Sequence, residues 1–195
     1  MPKPPGPTPD AVLLYRVFPY LESASDLTEP GHPLYVHPVG GGGRWDNPEL
    51  YLVRYLSTSA EGAVGETFGG LRSWSLAMLA YPSLPGARRV LGTFRLDEDT
   101  NPLLDLDDAA VLVARHIRPT EVVIRNRPRT QQIAESIYRE AKWAGIAWWS
   151  YQRPQWTQVA LWAADNLTID RIENLAGHPA VTDAAVTLAK SRRGV

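Results

Sequence analysis

The stretch 55-YLSTSAEGAVGETFGGLR-72 turns a strand into a helix, and the rest of the chain is read outward from that turn. Before it, 50-LYLVRYL-56 has the branched and aromatic content of a strand. Within it, Thr58 followed by Glu61 has the form of a capping box, which predicts a helix starting at Thr58. Ala60, Val64, Phe68 and Leu71 then recur at helical spacing as an apolar stripe. Gly62, Gly65, Glu66 and Gly69 share a second face. A glycine inside a helix costs roughly 1 kcal/mol against alanine, so glycines gathered on one face need a reason. Two stay open: close approach of a ligand or of backbone beside Glu66, or tight helix–sheet packing with Glu66 merely solvated.

Upstream, 11-AVLLYRVF-18 reads as a buried strand. Residues 19–48 are rich in Gly and Pro and read as mostly loop, long enough to suggest a functional segment. Downstream, 88-RRVLGTFRL-96 predicts a strand and 107–115 a short helix, while 121-EVVIR-125 fits a short strand or an extended connector. A helix is predicted from Thr130, with Ile133, Ile137 and Ala141 in period and Gly145 at its C′ position. The segments 146-IAWWSYQ-152 and 157-TQVALWA-163 read as strands paired through 153-RPQW-156, and a last helix covers about 180–191. Strands and helices mix without strict βαβ alternation, so the fold class is α+β rather than a doubly wound sheet. Residues 1–10 form a Pro-rich lead-in, and 11–191 a single domain.

Composition excludes several functions. The chain has 195 residues, 44% hydrophobic and 21% charged, with a net charge of −1, which makes no electrostatic case for nucleic-acid or membrane binding. There is no cysteine and hence no thiolate chemistry. His32, His37, His116 and His178 lack metal-ligand spacing, so no metal is expected. The start MPKPPGPTP has no apolar core of a signal peptide, and no apolar run approaches membrane-spanning length, so a cytoplasmic protein is expected. Walker and Rossmann fingerprints are missing, as is a persuasive Ser/His/Asp set or a pair of glycosidase carboxylates.

What remains is polar chemistry inside apolar elements. Arg16 interrupts a buried strand and needs a partner for its charge. Tyr55 closes the strand that leads to Glu66. Ser150 shares a strand face with Ile146 and Trp148. In 40-GGGGRWDNP-48 a bare glycine run delivers Arg44 and Trp45 side by side. That loop is either plain surface or a place where backbone and guanidinium meet an anion.

In their order these pieces resemble the RES domain, a family of bacterial toxin domains named for Arg, Glu and Ser. The resemblance rests on 14-LYRVF-18, 42-GGRWDNP-48, 55-YLSTSAEGAVGETF-68, 130-TQQIAESIY-138, 145-GIAWWS-150 and 160-ALW-162. It implies an ADP-ribosyltransferase-like fold with a split, mostly antiparallel β core and flanking helices. It also implies cleavage of NAD, as substrate, at the nicotinamide–ribose bond by glycohydrolysis or phosphorolysis. The resemblance carries Glu66, Arg44, Ser150 and Tyr55 into catalytic roles, and Arg16, Arg44, Trp45, Tyr55, Thr130 and Ser150 into NAD binding. Many relatives have Ser where Thr130 stands, and the glycine-rich insert at 20–41 is long. Implied partners are NAD, an Xre-type antitoxin and inorganic phosphate as acceptor. Two other readings share these residues: an ADP-ribosyltransferase acting on a protein, and a RES-like domain that only binds.

Overall fold

The computed structural model describes residues 11–38, 42–163 and 167–193. The Pro-rich lead-in and half of the glycine run, Gly40 and Gly41, lie outside them. In chain order the elements are β1 (Val12–Tyr20), β2 (Arg54–Ser57), α1 (Ala60–Phe68), β3 (Ser73–Ser75), α2 (Leu76–Ala80), β4 (Arg88–Leu96) and β5 (Leu103–Asp105). They continue with α3 (Ala109–Ala114), α4 (Pro119–Val123), α5 (Arg127–Tyr138), β6 (Gly145–Trp149), β7 (Thr157–Leu161), β8 (Thr168–Asn174), α6 (Pro179–Thr187) and β9 (Ser191–Arg193). The main sheet runs β5-β6-β7-β2-β1-β4-β8, antiparallel except for the β5–β6 pair. β3 and β9 form a small parallel sheet.

The sheet is two sheets joined at a point. β1 runs alongside β4 over its whole length, from Val12 opposite Leu96 to Tyr20 opposite Arg88. β2 pairs fully with β7, from Arg54 opposite Leu161 to Ser57 opposite Gln158. Between β1 and β2 the ladder registers only Tyr15 opposite Ser57. One face of the β5-β6-β7-β2 half carries α5, whose Ile133 and Ile137 pack with Ile146, Trp148, Leu104 and Trp45. The same face of the β1-β4-β8 half carries α1 and α6, with Val64, Phe68, Leu91, Trp156 and Val181 in contact. Leu14, Phe18, Val90, Phe94, Val159 and Leu161 fill the core on the other face, with Leu34 packed against it. The seam between β1 and β2 is therefore flanked by two separate helical clusters.

Several local expectations are corrected. The helix predicted from Thr58 has Ser59 as its N-cap, whose Oγ accepts from Gly62 N at 3.0 Å, so Glu61 is not at the box position. The strand predicted over 50–56 is confined to Arg54–Ser57, because 47–51 closes into a turn with Leu50 N and Tyr51 N donating to Asn47 O. The 121–125 connector is the end of α4, which Pro119 opens at its first turn. α5 begins before Thr130, since Asn126 caps it and Pro128 sits in its first turn. It ends at Tyr138, with Arg139 as its C-cap, and Gly145 opens β6 instead of closing the helix. There, an added Cβ on Gly145 would meet Ala160 O at 2.2 Å.

The glycine face of α1 is resolved as tight packing. A Cβ built on Gly65 would lie 2.1 Å from Trp156 Cζ3, and one on Gly62 would meet Ser57 Oγ at 2.4 Å. The helix thus sits directly on Trp156, which is 4% exposed and leads into β7. The close approach serves the neighbouring residue, because it sets Glu66 against the start of the β6–β7 turn.

Candidate functional site

A pocket of about 290 Å³ opens at the seam, lined by Tyr15, Arg16, Tyr55, Glu66, Trp148 and Gln158 among others. Its floor follows from the register. Tyr15 stands opposite Ser57, Ser57 opposite Gln158, and Gln158 opposite Trp148. Directly opposed antiparallel residues point to the same side, so these four form one row across β1, β2, β7 and β6. Arg16 follows Tyr15 and points to the alternate face, yet lines the same pocket where β1 and β2 part.

Glu66 stands over this row from α1. Ser150 donates its hydroxyl hydrogen to Glu66 Oε1 in a short bond. Gln152 N (2.9 Å) and Arg153 N (3.3 Å) both donate to Ser150 Oγ, so the turn after β6 fills the acceptor side of the hydroxyl and directs its proton to the carboxylate. Ser150 is 1% exposed, so it braces Glu66 from behind and does not stand free in the pocket. Glu66 itself is exposed at the pocket opening. Desolvation by the surrounding protein raises its pKa, opposed by the Ser150 hydrogen bond and the Arg44 charge.

Among the described residues the arginines in and near the pocket lack carboxylate partners. Arg16 Nη1 donates to Tyr35 O at 3.0 Å. Burial, then the nearby charge of Arg54, lowers its pKa to about 10, which leaves it charged at neutral pH. Arg44 Nη1 donates to Val122 O (3.0 Å) and Ile124 O at the end of α4. Its pKa is lowered by desolvation and by the Arg127 charge, against the pull of Glu66. Among the described residues no carboxylate lies within ion-pair distance of Arg16, Arg44, Arg54 or Arg127. An enclosed cation without an anion is costly, and it favours an anionic ligand.

The loop that bears Arg44 is held firmly. Tyr55 donates its hydroxyl to Asp46 Oδ1 at 2.7 Å and accepts from Trp45 N at 2.9 Å. Asp46 Oδ2 accepts from Gly43 N at 2.6 Å. Burial, followed by the Asp46 charge, pushes the Tyr55 pKa up, so the phenol stays protonated and acts as a strut. Thr130 donates to Arg44 O at 2.5 Å and is wholly buried, so α5 fixes the loop from below. Gln131 Nε2 donates to Gly43 O (3.1 Å) and Asn47 Nδ2 to Gln131 O (3.0 Å).

The structure therefore brings Arg16, Tyr55 and Glu66 to the pocket and sets Ser150 and Arg44 against Glu66. It does not bring Trp45 or Thr130 to the pocket wall. Trp45 is fully buried, its ring edge-on to Trp148 at 5.4 Å, because the loop turns the side chain inward to the core under α5. The sequence reading missed Tyr15 and Gln158 as lining and Asp46 as the loop anchor. Gln158 carried a signal, a polar residue alternating with apolar ones in 157-TQVAL-161. A larger groove of about 700 Å³ lies beside Leu34, Leu52, Tyr51 and Trp162. Arg54 is the charged residue lining it among those described, so the smaller pocket holds the chemistry.

The fold has a solved counterpart. A chain in the crystal structure of the M. tuberculosis MbcT–MbcA toxin–antitoxin complex matches with a TM-score of 0.60 at 15% identity, over 90% of this chain and 90% of that one. No curated protein matches significantly in sequence. The RES domain model matches residues 13–183, which include every lining and bracing residue described above, and the chain belongs to the RES domain family.

Proposed function

We propose that the chain cleaves NAD at the nicotinamide–ribose bond and acts as the toxin of a toxin–antitoxin pair. The observation that carries the chemistry is Glu66, braced by Ser150 and under the charge of Arg44, at a pocket whose lining arginine, Arg16, has no carboxylate partner among the described residues. In the cleavage the bond from ribose C1′ to the pyridinium nitrogen breaks and its electrons leave with nicotinamide, which departs neutral. Positive charge develops on the ribose, and the Glu66 carboxylate stabilises it. Because the pyridinium is already cationic in the substrate, no strong general acid is needed, in accord with a pocket whose described lining holds one carboxylate. An oxygen of water or inorganic phosphate completes the bond to C1′ and releases its proton. Arg16 and Arg44 supply cations for the pyrophosphate. Tyr55 and Trp148, edge to face at 6.3 Å, offer an aromatic wall. The similarity in fold to a chain of a toxin–antitoxin complex supports an antitoxin partner, for which we propose an Xre-type protein in the cytoplasm.

The test is purified protein with NAD, with and without inorganic phosphate, followed by nicotinamide release and product mass. Release that is lost in Glu66→Ala supports the reading, and the mass names the acceptor. Label retained on protein would point to transfer instead. An absence of release under all conditions would overturn it.

A further inference from the structure

Gln158 is a neutral pocket residue with an unspent hydrogen-bond acceptor in a fixed direction. It is 4% exposed and sits in the middle of the floor row, between Ser57 and Trp148. Ser57 Oγ donates to Thr157 O at 3.1 Å, so the lone pairs of that hydroxyl are what it offers its other neighbour. Gln158 Nε2 donates to it at 3.2 Å. With Nε2 on Ser57, Oε1 points away from it.

Among the described residues no donor reaches Gln158 Oε1. The oxygen is not sealed in protein either. The buried side-chain N and O atoms without partners are Trp45 Nε1, Arg54 Nε, Arg89 Nε and Arg127 Nη1. For a residue this enclosed that also lines the pocket, the space left to Oε1 is the pocket itself. A carbonyl acceptor with no freedom to turn, at the base of an aromatic-walled cavity, recognises an N–H donor on a flat ring.

We infer that Gln158 reads the carboxamide of the departing pyridine, with Oε1 accepting from its amide N–H. This rests on the proposed cleavage of NAD and names the substrate group that the floor selects. Ser57 acts as the positioning residue that holds the amide in register. A pyridine that lacks the N–H leaves Oε1 unpaired at the pocket floor, and this sets the preference.

The experiment compares NAD with 3-acetylpyridine adenine dinucleotide, in which a methyl group replaces the amide nitrogen. The readout is the ratio of kcat/KM for the two substrates, in wild type, Gln158→Met and Gln158→Asn. Intrinsic differences between the leaving groups cancel when the ratio is compared across proteins. The expected result is a wild-type preference for NAD that falls roughly tenfold in either variant. Either folded variant suffices, since methionine removes the acceptor and asparagine withdraws it. A folded variant that cleaves both substrates with the wild-type ratio would overturn the role of Gln158 while leaving NAD cleavage standing. If the wild type cleaves neither, the cleavage reading fails and this inference fails with it.

Discussion

At the scale of single residues, Glu66 works against the stability of its own fold. Desolvation raises its pKa, so the folded state prefers the protonated form more than the unfolded chain does. A raised carboxyl pKa contributes stability below the unfolded value, near 4.3 by the usual reference. That contribution is lost as pH rises through the folded value. Glu66→Gln removes the cost of ionisation, so its Tm should exceed that of wild type at pH 7, and the gap should close below about pH 4. The same variant should cleave NAD at least ~100-fold more slowly, as loss of a preorganised charge does elsewhere. A variant both less stable and inactive would mean that Glu66 is a structural anion. Ser150 tunes this group, because its hydrogen bond is the largest influence opposing the upward shift. Ser150→Ala should therefore move the acid limb of the kcat/KM profile to higher pH, which a purely structural loss would not do.

At the scale of elements, α1 and its seat on Trp156 decide whether Glu66 is placed at all. Gly65→Ala gains up to about 1 kcal/mol of helix propensity. It also drives a methyl group into an indole ring that has nowhere to go, with 2.1 Å between Cβ and Cζ3. Overpacking of this kind costs about 1–3 kcal/mol, so Gly65→Ala should lower Tm and activity together. Gly70→Ala, just beyond the C-cap Gly69 and facing open space, should change neither. A Gly65→Ala protein as stable and active as wild type would show that the helix rides loosely. These contacts mark how much the sequence reveals. The strand–helix turn, β4 and the β6–β7 pair are legible because periodicity and β-branched content act locally. Glu66, Ser150 and Arg16 are legible as polar residues in apolar settings. α4 was read as a strand or connector and the start of α5 was placed too late, because Pro119, Asn126 and Pro128 outweigh the apolar content of 121–125 as local punctuation. β8 was missed because its residues are largely exposed and lack an apolar face. Trp45 was assigned to the pocket wall and Gln158 passed over, because a pocket wall and a core position differ only by long-range pairing.

At the scale of the whole molecule, the organising feature is the seam. β1 belongs to β4, β2 belongs to β7, and the two halves meet in the ladder at Tyr15 and Ser57. Backbone hydrogen bonds hold each half together along its length, whereas the seam depends on that single point and on the side chains around the pocket. Arg16 and Arg54 add to this arrangement, since they reach across to Tyr35 O and Leu34 O and pin the loop before the seam with neutral carbonyls. The carbonyls take one N–H of each arginine, leave Arg54 Nε without a partner among the described residues, and leave the charges uncompensated. A bound pyrophosphate would supply the missing charge and tie both halves to one molecule. Ligand binding should therefore stabilise the entire chain and not a local patch. With a NAD analogue that resists cleavage at a hundred times its Kd, linkage gives about 2.7 kcal/mol. At about 2–4 °C per kcal/mol for a chain of this size, Tm should rise by roughly 5–10 °C. Amide exchange should slow on both sides of the seam, in β1 and in β2, more than within the β1–β4 ladder. A Tm rise accompanied by protection in only one half would mean that the ligand sits on one helical cluster and the seam is not its binding site. If the rise survives in Arg16→Gln, the pinned arginine is not the cation that the ligand recruits.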